Sequence, residues 1–210
     1  MNAKLFSLST ASALLLAMAN AYAAPPVAEL KVIGTLTVPT CNVASAEDGV
    51  YDIGKVSATM VKPTAVTPLT ALNKTWTVTC DAETYLNFKP VDNRAETASA
   101  GSTTNFGLGM VNETGKIGYY NVTMKNASVD GVDTSVFTSA TTAVASAASV
   151  TVNSANRNGW SVSTAQKSGK IFVADLEVTP TLASSASMNG SITEDTDIDG
   201  SLTLNFAYGI

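Results

Sequence analysis

Residues 201–208 read Ser201-Leu202-Thr203-Leu204-Asn205-Phe206-Ala207-Tyr208. Apolar side chains take every second position, so Leu202, Leu204, Phe206, Tyr208 and, one step further, Ile210 share one face. An extended chain turns successive side chains to opposite faces, and a period of two therefore predicts a half-buried strand. The same alternation returns in Gly34-Thr-Leu-Thr-Val38, Trp76-Thr-Val-Thr-Cys80 and Lys170-Ile-Phe-Val-Ala-Asp-Leu-Glu-Val178. Turn-forming or small polar tracts separate these runs, among them 91–93, 95–104, 112–115, 129–131, 156–159 and 197–200. The tract 135–149 is expected to be a loop, with a strand from Val150. Strands recurring at intervals of about ten residues, with no linker and no internal repeat, predict a single all-β sandwich.

The composition points the same way. Of 210 residues, 28 are Thr and 21 are Ser, residues suited to solvated sheet faces and turns. Lys and Arg number 12 against 17 Asp and Glu, for a formal net charge of −5. With no basic cluster the chain offers no electrostatic footprint for a phosphate backbone or an anionic membrane surface, so nucleic acid is not an expected partner. The sequence contains no His, the side chain most used for general acid/base work, for activating Ser or Cys and for ligating metals. No catalytic constellation, metal or cofactor is expected, and the chain reads as a non-enzyme.

Lys4 followed by the apolar run 5–19 reads as a secretory signal, too short and too interrupted to span a bilayer. Ala21 and Ala23 supply an A-x-A cleavage pattern, which assigns residues 1–23 to the signal peptide and starts the mature chain at Ala24. No later segment is long and apolar enough for membrane insertion. Export places Cys41 and Cys80 in an oxidising compartment where each is the other's only available partner, so a disulfide is expected. The alternatives, a catalytic thiol or half of a metal site, have neither a His nor a C-x-x-C companion to work with.

These landmarks carry a resemblance. The run Gly34-Thr-Leu-Thr-Val-Pro-Thr-Cys41-Asn-Val43, then Val50-Tyr-Asp-Ile-Gly54-Lys-Val56, a second cysteine at Cys80 and an alternating C-terminal strand with a tyrosine near its end resemble a chaperone–usher fimbrial subunit, or pilin. The Thr/Ala/Ser loops, with Phe106-Gly-Leu-Gly109 and Lys116-Ile-Gly-Tyr-Tyr120, are similar to enterobacterial fimbrial-like proteins that carry a domain of unknown function.

The resemblance implies an immunoglobulin-like β-sandwich of the pilin type over residues 34–210, lacking its last strand, preceded by an N-terminal extension over 24–33. It also implies a mechanism without chemistry. A periplasmic chaperone lends a strand to the open groove, an outer-membrane usher receives the subunit, and the extension of a neighbouring fimbrial subunit then replaces the chaperone's strand. The implied location is the periplasm, then the fimbrium, the cell surface or the extracellular space. The groove would be lined by Leu202, Leu204, Phe206, Tyr208 and Ile210 and by the strand from Gly34; the plain alternative is that this stripe is ordinary sheet core. Pro25 and Pro26 have no amide hydrogen to give a ladder, so the candidate donor strand begins near Val27, with Ala28, Leu30 and Val32 on one face. Alternatively, residues 27–33 start the domain's own first strand.

Other functional readings compete. The sandwich could be a single-domain surface adhesin, holding a host or surface glycan on Trp160, Tyr119 and Tyr120, or a soluble secreted fimbrial-like factor that does not polymerise; a secreted enzyme is a distant third. The acidic run from Asp195 to Gly200 resembles the start of a calcium loop, but Phe206 stands where the bidentate Glu belongs, so an acidic turn is expected.

Overall fold

The computed structural model describes residues 26–209; the signal peptide read over 1–23, the start of the extension at 24–25 and Ile210 lie outside the described residues. The chain divides into two units, Met1–Leu36 and Thr37–Ile210. In the first, the described residues form no strand and their apolar side chains are exposed. The run 34–38, expected as a strand, is not one, because an extended segment becomes a strand only by pairing and no strand among the described residues pairs with it.

The second unit is all-β, with no α-helix among the described residues. In chain order its strands are β1 (Cys41–Ser45), β2 (Thr67–Pro68), β3 (Leu72–Asp92), β4 (Phe106–Gly107), β5 (Met110–Val111), β6 (Gly115–Lys116) and β7 (Gly118–Val129), then β8 (Val132–Asp133), β9 (Ser135–Ser139), β10 (Ser149–Thr151), β11 (Arg157–Val162), β12 (Ala165–Gln166), β13 (Ser168–Leu182) and β14 (Leu202–Tyr208). The long β3 organises them. Its first half pairs with β1 on one edge and β13 on the other, while its second half pairs with β14 and, at Asn87 and Phe88, with β11. At the corner the register slips, Gly169 opposing Thr84 but Ile171 opposing Thr79, so the intervening residues bulge and β3 passes from one layer into the next.

One layer therefore runs β1, β3, β13, β7, β10 and the other β14, β3, β11, β9. Alternation along β7 shows which face is which: Tyr120, Val122 and Met124 are buried, and Asn121, Thr123 and Lys125 between them are not. The layers meet through side chains such as Trp160 of β11 and Phe172 of β13, whose rings lie 5.2 Å apart. Cys41 and Cys80, directly opposed on β1 and β3, form the disulfide. A bridge between Val136 and Ala147 ties β9 to the approach of β10, closing the curled sheet on that side. On the opposite side no pairing joins β1 to β14 among the described residues.

Two further sequence expectations are corrected. The Asn/Gly-rich segment 156–159, expected as a turn, runs into β11. Its Asn158 is fully buried and its amide donates to the carbonyls of Phe88, Asn153 and Asn156; a Cβ on Gly159 would come within 2.9 Å of the Leu86 carbonyl. Composition here reflects close backbone approach, not a surface turn. The tract expected as loop from Ser135 instead opens with β9, whose Val136 and Phe137 are fully buried.

A polar cluster on the outer face yields a pH prediction. Asp175 of β13 is pushed up by partial burial, but hydrogen bonds from Thr75, Asn126 and Asn73 and the charge of Lys125 outweigh this and hold its carboxyl below the ordinary aspartate value. A depressed folded value stabilises above the unfolded pKa, and that stability is lost as pH falls through the folded one. In acid titrations of stability, Asp175→Asn is expected to be less stable than the parent at pH 7, and the difference is expected to shrink as pH falls below the ordinary aspartate range.

Candidate functional site

Between the unpaired edge of β14 and the segment that follows β1 lies a cleft of about 410 Å³. One rim is the approach to β14 and its first turn of side chains, from Ile198 to Leu204; the other is Gly49 to Ile53; the floor carries Trp76, Tyr120, Val122 and Leu176.

β14 pairs with β3 from Leu202 opposite Asp92 to Tyr208 opposite Leu86, and with no other strand among the described residues. Its second edge consequently presents main-chain N–H and C=O groups to whatever lies beside it. Leu202, Leu204 and Phe206 turn inward onto the core as the alternation requires, yet each is only half-buried. Phe206 tilts against Phe88, with ring centroids 5.5 Å apart. Tyr208 has the same parity but is 42% exposed at the strand's end. Ile210, assigned to the same stripe, lies outside the described residues.

The strand that leads into the facing rim, β1, is equally uncovered. Val43 stands directly opposite Val78, and opposed residues of an antiparallel pair point to the same face. Val78 is 1% exposed and Val43 is 39% exposed, so Val43 is an inward side chain with little over it. After β1 the chain turns through Glu47, Asp48 and Gly49 with φ of 49°, 50° and 79°, a left-handed path that opposes L side chains by roughly 1–2 kcal/mol per residue. This turn lays the Gly49 backbone on Trp76, where a Cβ would come within 2.9 Å of the indole ring. Tyr51 and Ile53 then point inward while Asp52 points out. The Tyr51 hydroxyl donates to the Leu176 carbonyl at 2.8 Å and accepts from Trp76 Nε1 at 3.0 Å. Burial pushes the Tyr51 hydroxyl above its ordinary pKa, with the Trp76 bond opposing and the Asp175 charge adding, so it remains a protonated donor at neutral pH. At the far end Arg94 pairs with Asp199, and Asn93 Nδ2 donates to Ser201 Oγ at 2.9 Å and Thr203 Oγ1 at 3.0 Å, pinning the start of β14.

Gly49→Val should therefore force the rim off Trp76. The expected loss is about 2–3 kcal/mol by chemical denaturation, from strain and overpacking together, with a red shift of Trp76 emission.

The structure places Leu202, Leu204 and Phe206 on the inward face of β14; the residues across the cleft are Gly49–Ile53, not a strand from Gly34. The alternation Tyr51-Asp52-Ile53 was a signal for this rim; the left-handed turn that swings it onto Trp76 was not visible in residue types. Ala28, Leu30 and Val32 lie in the exposed first unit, in no strand. Trp160 and Tyr120, candidates for stacking a sugar, are 3% and 6% exposed, and Trp160 Nε1 donates to the Val173 carbonyl at 2.8 Å, so both belong to the core. Tyr119 is half-buried.

Residues 30–106 match a family model described as a protein of unknown function, DUF1120. That span is less than half of the chain and takes in β1, β3 and the Gly49–Ile53 rim. No curated protein matches the chain.

Proposed function

We propose that the chain is a non-enzymatic fimbrial or fimbrial-like structural subunit, exported to the periplasm and assembled by strand complementation. In this reading the second unit is an immunoglobulin-like sandwich of the pilin type without its last strand. A periplasmic chaperone fills the groove first, an outer-membrane usher receives the subunit, and the extension of a neighbouring subunit then takes the groove, at the cell surface or in the fimbrium. The observation that carries the reading is β14: an edge strand whose inward apolar stripe is half-exposed over a cleft with an apolar floor. A single chain that left such an edge open would invite pairing with another strand.

The extension supports the donor role. Leu30 and Val32 are 86% and 89% exposed, and the parity of Ala28, Leu30 and Val32 continues through Gly34, Leu36 and Val38. That is one apolar face of the kind a groove reads at alternate positions. A synthetic peptide of residues 27–38 tests this. Saturating peptide, at about 100 times its Kd, is expected to raise the unfolding temperature by about 5–10 °C, whereas a scrambled peptide without the alternation leaves it unchanged. Equal melting with both peptides would count against the groove as a strand receptor. Loss of co-purification with a periplasmic chaperone on Leu204→Lys would extend the test to assembly.

A further inference from the structure

A second cleft, of about 300 Å³, shares no lining residue with the groove, and we infer that it holds a neutral sugar by neighbouring ring hydroxyls. It is formed by the segment that joins β3 to β4, together with Lys116 of β6 and Ser154. Hydrogen bonds fix its walls. Ser154 donates from its backbone N–H and its hydroxyl to the Thr103 carbonyl, at 2.8 Å and 3.0 Å. Asn121 Nδ2 reaches the Thr104 carbonyl at 2.7 Å, and Asn105 Nδ2 the Ala100 carbonyl at 3.1 Å. The Ser99 N–H donates to the Gly118 carbonyl at 3.1 Å, next to a bridge between Ala98 and Gly118. A Cβ on Gly107 would come within 2.1 Å of the Arg94 carbonyl oxygen, so the start of the segment lies directly on β4. Walls ordered before binding leave less freedom to lose when a ligand enters.

The polar lining decides the ligand class. Lys116, half-buried, is the one basic side chain lining the cleft among the described residues. An ammonium has three donors; one goes to the Ala98 carbonyl at 3.1 Å, and no carboxylate takes another among the described residues. Glu96 lines the same cleft, exposed, and its carboxylate has no cationic partner among the described residues. Asp92 is committed: one carboxylate oxygen accepts the Arg94 N–H and the other the Gly107 N–H, both at 2.8 Å. The cleft thus offers a free donor and a free acceptor, while two carboxylates against one ammonium leave it a net charge of −1. An anion would meet both carboxylates, and a cation would meet the ammonium. An uncharged ligand whose adjacent groups both donate and accept meets neither opposition. Neighbouring sugar hydroxyls do this, one accepting from Lys116 and the next donating to Glu96, each in a charge-assisted hydrogen bond. Ala95, Ala98 and Phe106 supply the apolar part of the lining, against which the C–H face of a ring can rest.

Titration of the disulfide-bonded protein with glucose, galactose and mannose, followed by the amide chemical shifts of residues 95–105, tests this. At least one hexose is expected to bind with a Kd on the order of 1 mM, shifting that segment and Lys116. Its uronate and its 2-amino analogue, which add a carboxylate or an ammonium to the same ring, should each bind more weakly. Lys116→Gln, Glu96→Gln and Gly101→Phe should each weaken the hexose by about tenfold or more. Glu96 is exposed, and a Cβ on Gly101, which lines the cleft, would meet no atom within 4 Å, so these two changes should leave the unfolding temperature unaltered. Tighter binding of either charged analogue would overturn the assignment to a neutral sugar. Hexose binding that Gly101→Phe and Glu96→Gln leave unchanged would place the sugar elsewhere and overturn it too. So would the absence of any shift with all three hexoses up to about 50 mM.

Discussion

Removal of the disulfide, in the double variant Cys41→Ala, Cys80→Ala, is expected to lower the unfolding free energy by about 4 kcal/mol on the chain-entropy account. The bridge closes a sequence separation of 39 residues, and it does so at the outer edge of a layer, where β1 has five residues and, among the described residues, one neighbouring strand. Nothing else covalent holds that edge. With a urea slope of about 2 kcal/mol per molar, the midpoint should fall by roughly 2 M. The consequence extends past stability, because β1 leads through the left-handed turn to the Gly49–Ile53 rim. The bridge-free protein should therefore bind the 27–38 peptide more weakly than the parent under conditions where both are folded. An unchanged midpoint would show that the β1 ladder alone fixes the edge.

Phe88→Ala and Phe206→Ala should separate although the two rings touch. Phe88 is 1% exposed within the core, and truncating such a ring typically costs about 3–5 kcal/mol. Phe206 faces the same core from the edge strand but is only half-buried, so its truncation in the free protein should cost roughly 2 kcal/mol, in proportion to the apolar area already withdrawn from water. Once a strand covers the groove the difference should narrow, since Phe206 would then be buried as deeply as Phe88. Denaturation of both variants with and without the 27–38 peptide checks this. Equal costs in the free protein would mean that the stripe is already ordinary core.

How much of this was legible in the sequence varies with what each residue's role depends on. The alternation in 201–208 located β14 and its inward stripe correctly, because period two is a local property of one strand. The Cys41–Cys80 pairing was legible because only two cysteines exist. Whether Leu202, Leu204 and Phe206 were fully or half covered was not legible, since that depends on what lies across the cleft. Gly34–Val38 had the pattern of a strand and no partner to make it one. Asn158 and Gly159 had the composition of a turn, yet burial with satisfied amides made them strand. Trp76 was readable only as sharing a face with Val78 and Cys80; its place as the surface on which Gly49 and Tyr51 rest required three consecutive positive φ values that residue types alone did not announce.

The central claim is that β14 keeps one edge free for a foreign strand, and amide hydrogen exchange along residues 202–208 tests it most directly. In an antiparallel edge strand, alternate N–H groups point toward the partner and the rest point away. Exchange should accordingly alternate in the free protein, slow for the amides bonded to β3 and fast for the others. On addition of the 27–38 peptide the fast set should become slow while the slow set changes little. Uniform protection along β14 before any peptide is added, or a fast set that the peptide leaves fast, would contradict the account.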